Sequence, residues 1–314
     1  MYSHFGKEKS MGDQGKAGKP AEKWADRIRF ISGSPETALE ADEADIGALP
    51  DVYRCSDERP KTAEEVAAIA DVTVALNDFR RMMCDLAPLA FPPERVHILG
   101  HDEFQTKIGH GRFSGKSILG HVYLERGGPT HLLMALLAHE MTHAVSYLWL
   151  DVRDKDAVTV DGLRLSRVLM RRTGLALIDP SYGTLLPHFH GLNEGATEMA
   201  ACIIRRLAAA NAVNLNKTGK RSLIGFVSSP PLMAFIERLI AVACGVAGDR
   251  VAMSRKLFTD LFAGTDKFLH SLEANLPGAI EVLRATGQTP MELLAAAAKL
   301  GFDKEAEFIR TFCE

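Results

Sequence analysis

Residues Thr130–Leu150 read THLLMALLAHEMTHAVSYLWL, apolar almost all round and without Lys, Arg or Asp. A segment of that kind predicts a helix over 130–150 that sits in the middle of a domain. Gly127, Gly128 and Pro129 precede it, with proline where a first helical turn tolerates one. Polar side chains inside such a helix are costly unless something satisfies them. This one carries three close together, His139, Glu140 and His143. Positions i and i+4 lie one turn apart on one helical face, so both imidazoles can reach a single metal ion. Glu140 stands beside them and can take a proton from a water on that metal.

Imidazole suits Zn²⁺, and a catalytic zinc needs three protein ligands with one position open. An extended metzincin pattern would place Gly at 146 and His at 149, where this chain has Ser146 and Trp149. The third ligand must come from elsewhere. Gly191-Leu192-Asn193-Glu194-Gly195-Ala196-Thr197-Glu198 opens a second helix, expected from about Leu192 to Ala210. It offers two carboxylates at i and i+4. One can bind the metal while the other hydrogen-bonds a ligating histidine from outside.

With these two helices the chain resembles the gluzincin branch of the zincin metallopeptidases, in which the HExxH helix is followed by a helix beginning Asn-Glu. The resemblance covers roughly Lys116 to Arg206. It implies one Zn²⁺ ion held by His139, His143 and Glu194, Glu140 as general base, and Glu198 and Asn193 as outer partners of the ligands. It also implies that the Ser117–Glu125 strand pairs with an extended peptide, which makes Gly120, His121 and Val122 substrate-binding. The chemistry implied is metal-assisted hydrolysis of a peptide or protein substrate, endopeptidase in type, with an added donor to stabilise the tetrahedral oxyanion. His188, His190 and Tyr182 are candidates for that donor. The separation of 51 positions between His143 and Glu194 departs from the compact gluzincin spacing. A hairpin with its turn at Pro180–Gly183, after Gly174–Asp179 and before Thr184–His190, is expected to fill part of that gap.

The implied fold is α+β and zincin-like. An N-terminal lobe, about 25–150, would hold a small mixed sheet and the HExxH helix, and a mainly helical lobe, about 151–314, would supply Glu194. Together they make one metallopeptidase unit behind a disordered Gly/Lys-rich tail, residues 1 to 24. Short strands are expected at Arg27–Ser32, Val96–Leu99 and Ser117–Glu125, with loops over His101–Gly115 and Asn214–Arg221. Thr62 and Glu65 make a capping box for a helix reaching about Asp85. Further helices are expected at about 231–244, 250–263, 266–274, 278–286, 290–300 and 303–312.

The rest of the composition excludes rather than assigns. Lys+Arg 37 against Asp+Glu 40 leaves a net charge of -3, which gives no electrostatic footprint for nucleic acid. Five cysteines without a CxxC pair suggest neither a disulfide framework nor a zinc ribbon. The N-terminal residues have no apolar h-region and no run is long enough to span a membrane, so the expected location is the cytoplasm, or outside by a route without a cleaved signal. Oligomeric state is not readable. Two rival functions remain. His110–Ser117 nearly spells a phosphate-binding loop, but no glycine stands five positions before Gly115, and strand-like residues follow Ser117. A zincin-like scaffold that binds zinc without catalysis is the other, and it has no use for Glu140.

Overall fold

The computed structural model describes residues 28–30, 58–109, 114–118, 120–160, 163–178, 187–213, 215–246 and 248–313. The expected tail and Tyr182 lie outside them, as does the expected turn at Pro180–Gly183. Strand β1 is Ile28–Phe30. The Thr62 hydroxyl accepts from the Glu65 N–H at 3.2 Å, and the Glu65 carboxylate accepts from the Thr62 N–H at 2.7 Å. That reciprocal cap starts helix α1, Ala63–Cys84, which buries Ala68, Val72, Ala75, Leu76 and Phe79 along one face.

A small mixed sheet follows. Strands β2 (Val96–Leu99), β3 (Gly115–Ile118) and β4 (His121–Glu125) lie in the order β2-β4-β3, with β2 parallel and β3 antiparallel to β4. Between β2 and β3, the expected loop contains a short helix, α2, His101–Phe104. The single strand expected over Ser117–Glu125 is two strands. The chain reverses between Ile118 and His121, with Gly120 at φ 77°, a conformation that suits glycine in a tight hairpin. As a result β4 is the central strand and β3 the edge.

Val122 and Leu124 face the core beneath helix α3, Thr130–Ala144. The expected helix over 130–150 stops six residues early. The Tyr147 N–H donates to the Leu261 carbonyl at 2.9 Å, so the helical ladder cannot continue through it. The chain then enters β5, Leu148–Val160, which pairs with β1 on one side and with β6, Leu163–Thr173, on the other. This long antiparallel ribbon was not expected. Strand β7, Ala176–Ile178, completes a four-stranded sheet, β1-β5-β6-β7. Leu177 also pairs with His188, joining the two arms of the expected hairpin.

Helix α4, His190–Asn211, packs against α1 and α3. The remaining helices are α5 (Lys217–Gly225), α6 (Pro230–Cys244), α7 (Arg250–Ala263), α8 (Lys267–Asn275), α9 (Ala279–Arg284), α10 (Pro290–Lys299) and α11 (Asp303–Cys313). Helix α5 replaces the expected polar loop, started by the Asn216 side chain accepting from the Gly219 N–H at 2.8 Å. One apolar core runs from Ala68 on α1 to Ile309 on α11. At Gly195 helices α4 and α6 pack closely, for a Cβ there would lie 2.2 Å from Ile236 Cγ1 on α6. No single helix among the described residues is long and apolar enough to cross a membrane; α5 and α6 together, bent by 61°, match by length and composition.

Candidate metal centre

Helix α3 presents His139 and His143 from one face, and the second turn of α4 presents Glu194 against them. The His143 Nε2 lies 3.2 Å from His139 Nε2 and 3.2 Å from Glu194 Oε2, and His139 Nε2 lies 3.6 Å from the same oxygen. Zinc–ligand bonds of about 2.0–2.1 Å at tetrahedral angles separate neighbouring ligand atoms by about 3.3 Å. The observed triangle has that size. It is the one group of three or more His, Cys, Asp or Glu residues among those described that can hold a metal ion.

The outer nitrogens are also engaged. His139 Nδ1 lies 3.0 Å from Glu198 Oε2, and because an ionised carboxylate only accepts, Nδ1 carries a proton, so Nε2 is the nitrogen that would give up its proton to bind a metal. His143 Nδ1 lies 3.3 Å from Thr197 Oγ1, which accepts its proton when Nε2 binds a metal. The Asn193 amide nitrogen is farther away at 3.5 Å, and its oxygen accepts from the Leu175 N–H at 2.9 Å. Thr197 is therefore the nearer partner, one that the Glu194/Glu198 spacing does not single out.

Charge organises the same residues. Burial opposes ionisation of Glu198, but the His139 hydrogen bond and the Arg205 guanidinium outweigh it and hold the carboxyl at about 2. Burial likewise opposes ionisation of Glu194, and the two histidines hold it well below the usual carboxylate range. His139 is raised to about 10: burial works against its charge, but hydrogen bonds to Glu194 and Glu198 prevail, helped by nearby Glu140. Glu140 moves the other way. Burial pushes its carboxyl up, against the pull of His139 and His143 and of a backbone hydrogen bond from Ser117.

A cavity of about 740 Å³ opens over the triangle, walled by β3, α3, α4 and the segment before α6. Glu140 faces it, and so do Gly115, Ser117, Gly120 and Ser228. Of the expected substrate-binding residues, Gly120 lines this cavity, whereas His121 and Val122 do not. Both sit on the central strand: Val122 points into the core and His121 to the opposite face, where its Nδ1 lies 2.9 Å from His97 Nε2. The sheet edge expected there belongs instead to β3. His190 lines the cavity with Nδ1 3.8 Å from Glu194 Oε1, while His188 pairs through its backbone with Leu177 and is not on the cavity wall. Comparison with known protein families, curated sequences and solved structures found no match to this chain.

Proposed function

We propose that the chain is a zinc-dependent peptidase of the gluzincin type, acting on peptide bonds in the cavity between β3 and α4. The observation that carries this reading is Glu140, a buried carboxyl on the cavity wall beside a metal-sized triangle of His139, His143 and Glu194. Bound there, a zinc ion supplies Lewis-acid polarisation of a carbonyl and makes water easier to deprotonate.

The chain's own residues do the rest. Glu140, its carboxyl raised by burial, is a stronger base than a solvated glutamate, and the Ser117 N–H fixes its direction. It takes a proton from the water whose oxygen bonds to the scissile carbon, then delivers it to the amine nitrogen as the C–N bond breaks. Strand β3, the edge of its sheet, offers backbone groups to which an extended peptide can add as a further strand. His190 stands across the cavity as the candidate donor to the oxyanion. Glu140→Gln tests the reading. It should keep the metal and lower peptide cleavage by about 10²–10⁴-fold; cleavage unchanged in that variant refutes it.

A further inference from the structure

We propose that Ser228, in the segment between α5 and α6, is a positioning residue of the metal centre, acting on His139 through Glu198. This rests on the metal-centre reading alone and not on peptide hydrolysis. Nothing in the spacing of the two metal-binding helices marks Ser228, which lies 30 residues after Glu198.

Glu198 is almost wholly buried, and an ionised carboxylate has about four lone-pair sites to satisfy. Its Oε1 accepts from Arg205 Nη2 at 2.8 Å and from the Ser228 N–H at 3.2 Å. Its Oε2 accepts from Ser228 Oγ at 2.7 Å and from His139 Nδ1 at 3.0 Å. All four sites are thus taken, and Ser228 reaches both oxygens. The Ser228 hydroxyl shares Oε2 with the metal ligand itself, so it sets the angle from which that oxygen meets the imidazole. Without the hydroxyl, one lone pair is left unsatisfied in a buried place, and among the described residues His139 is the sole remaining partner of Oε2 to set its angle.

Arg205 holds the segment in reach. Its Nη2 also donates to the Phe226 carbonyl at 2.7 Å, and its guanidinium lies 5.3 Å over the Phe226 ring. Cys202 contributes less, since its Sγ is 3.7 Å from Glu198 Oε1. Phe226, Ser228 and Ser229 all line the cavity. The same lock that orients a metal ligand therefore also fixes one wall of the cavity.

The test is a cobalt(II) titration of the full chain, followed by visible absorption, with zinc competition for affinity. Ser228→Ala and the near-isosteric Ser228→Cys should bind about 10- to 100-fold more weakly, the usual effect of removing a ligand's outer partner. Ser228→Thr keeps the hydroxyl and should bind like wild type. The metal-free variants should remain folded, melting somewhat lower where the hydroxyl is lost, and circular dichroism showing them folded at the titration temperature separates lost affinity from lost fold. Ser228→Cys binding as tightly as wild type overturns the proposal, and so does Ser228→Thr binding as weakly as Ser228→Ala. His139→Ala serves as the control for the centre itself: if it binds as wild type does, the metal-centre reading falls and takes the role of Ser228 with it.

Discussion

Gly115 leaves room for Glu140. A Cβ at position 115 would lie 3.0 Å from both Cγ and Oε1 of Glu140 and 3.1 Å from Leu124 Cδ2, so a methyl group there must push the carboxyl aside. Gly115→Ala is expected to lower cleavage by up to about tenfold, since the carboxyl must give way by a few tenths of an ångström and a full 1 Å misplacement can cost about 10²-fold. Metal affinity should stay the same, and a parallel loss of metal would show that the fault lies in the fold. His121 makes a prediction in pH. Burial, with the charges of Arg95 and His97 nearby, lowers it from 6.5 to about 4. The unfolded chain then takes up the proton first, so stability falls as pH drops from 6.5 towards 4. His121→Gln cannot titrate and keeps an amide beside His97. Its melting temperature should fall less over that interval than the wild type's, and parallel curves refute the assignment. The HExxH pair was legible at this scale because helical periodicity fixes it locally, whereas Glu194, 51 positions from His143, was singled out by the resemblance to the gluzincin helix pair. Thr197 and Ser228 were not, because a hydroxyl carries no spacing rule and its partner is chosen by packing.

Among the elements, those with a local start or stop signal were read from sequence to within a residue or two. Helix α1 is the plainest, and removing its cap by Thr62→Ala should cost about 1 kcal/mol of stability in urea unfolding, because the hydroxyl satisfies an otherwise orphaned N–H. A cost near zero would mean that tertiary packing alone sets that helix end. Helix α10 begins with the same kind of box at Thr289 and Glu292. Errors arose where local pattern and tertiary pairing disagree. The run from Tyr147 to Leu150 suits either helix or strand, and the Leu261 carbonyl together with β1 and β6 decides for strand. Two local signals agree with the observed pairing. Gly120 within the apparent Ser117–Glu125 strand marked a reversal, and Asp161-Gly162 between apolar residues is a hairpin pair. Helix α5 was hidden because its residues are polar, leaving only the Asn216 cap to announce it.

At the scale of the whole molecule, the candidate metal ligands join elements far apart in sequence. His139 and His143 come from α3, packed on the mixed sheet, and Glu194 from α4, packed on α6. An ion there binds the folded state alone, and at a free concentration 100 times its dissociation constant it adds about 2.7 kcal/mol. Chelator should therefore lower the melting temperature by several degrees, zinc should restore it, and His143→Ala should remove the difference. Identical melting with chelator and with zinc would refute the centre. Local sequence was enough for the two helices that carry the candidate ligands and for most of the helices after His190, because periodicity and capping act over a few residues. That β3 is the edge, that Thr197 is the nearer partner of His143 and that Ser228 reaches Glu198 follow from the folded chain alone. Each of those is a contact between segments whose meeting depends on packing and backbone pairing, which no local spacing records.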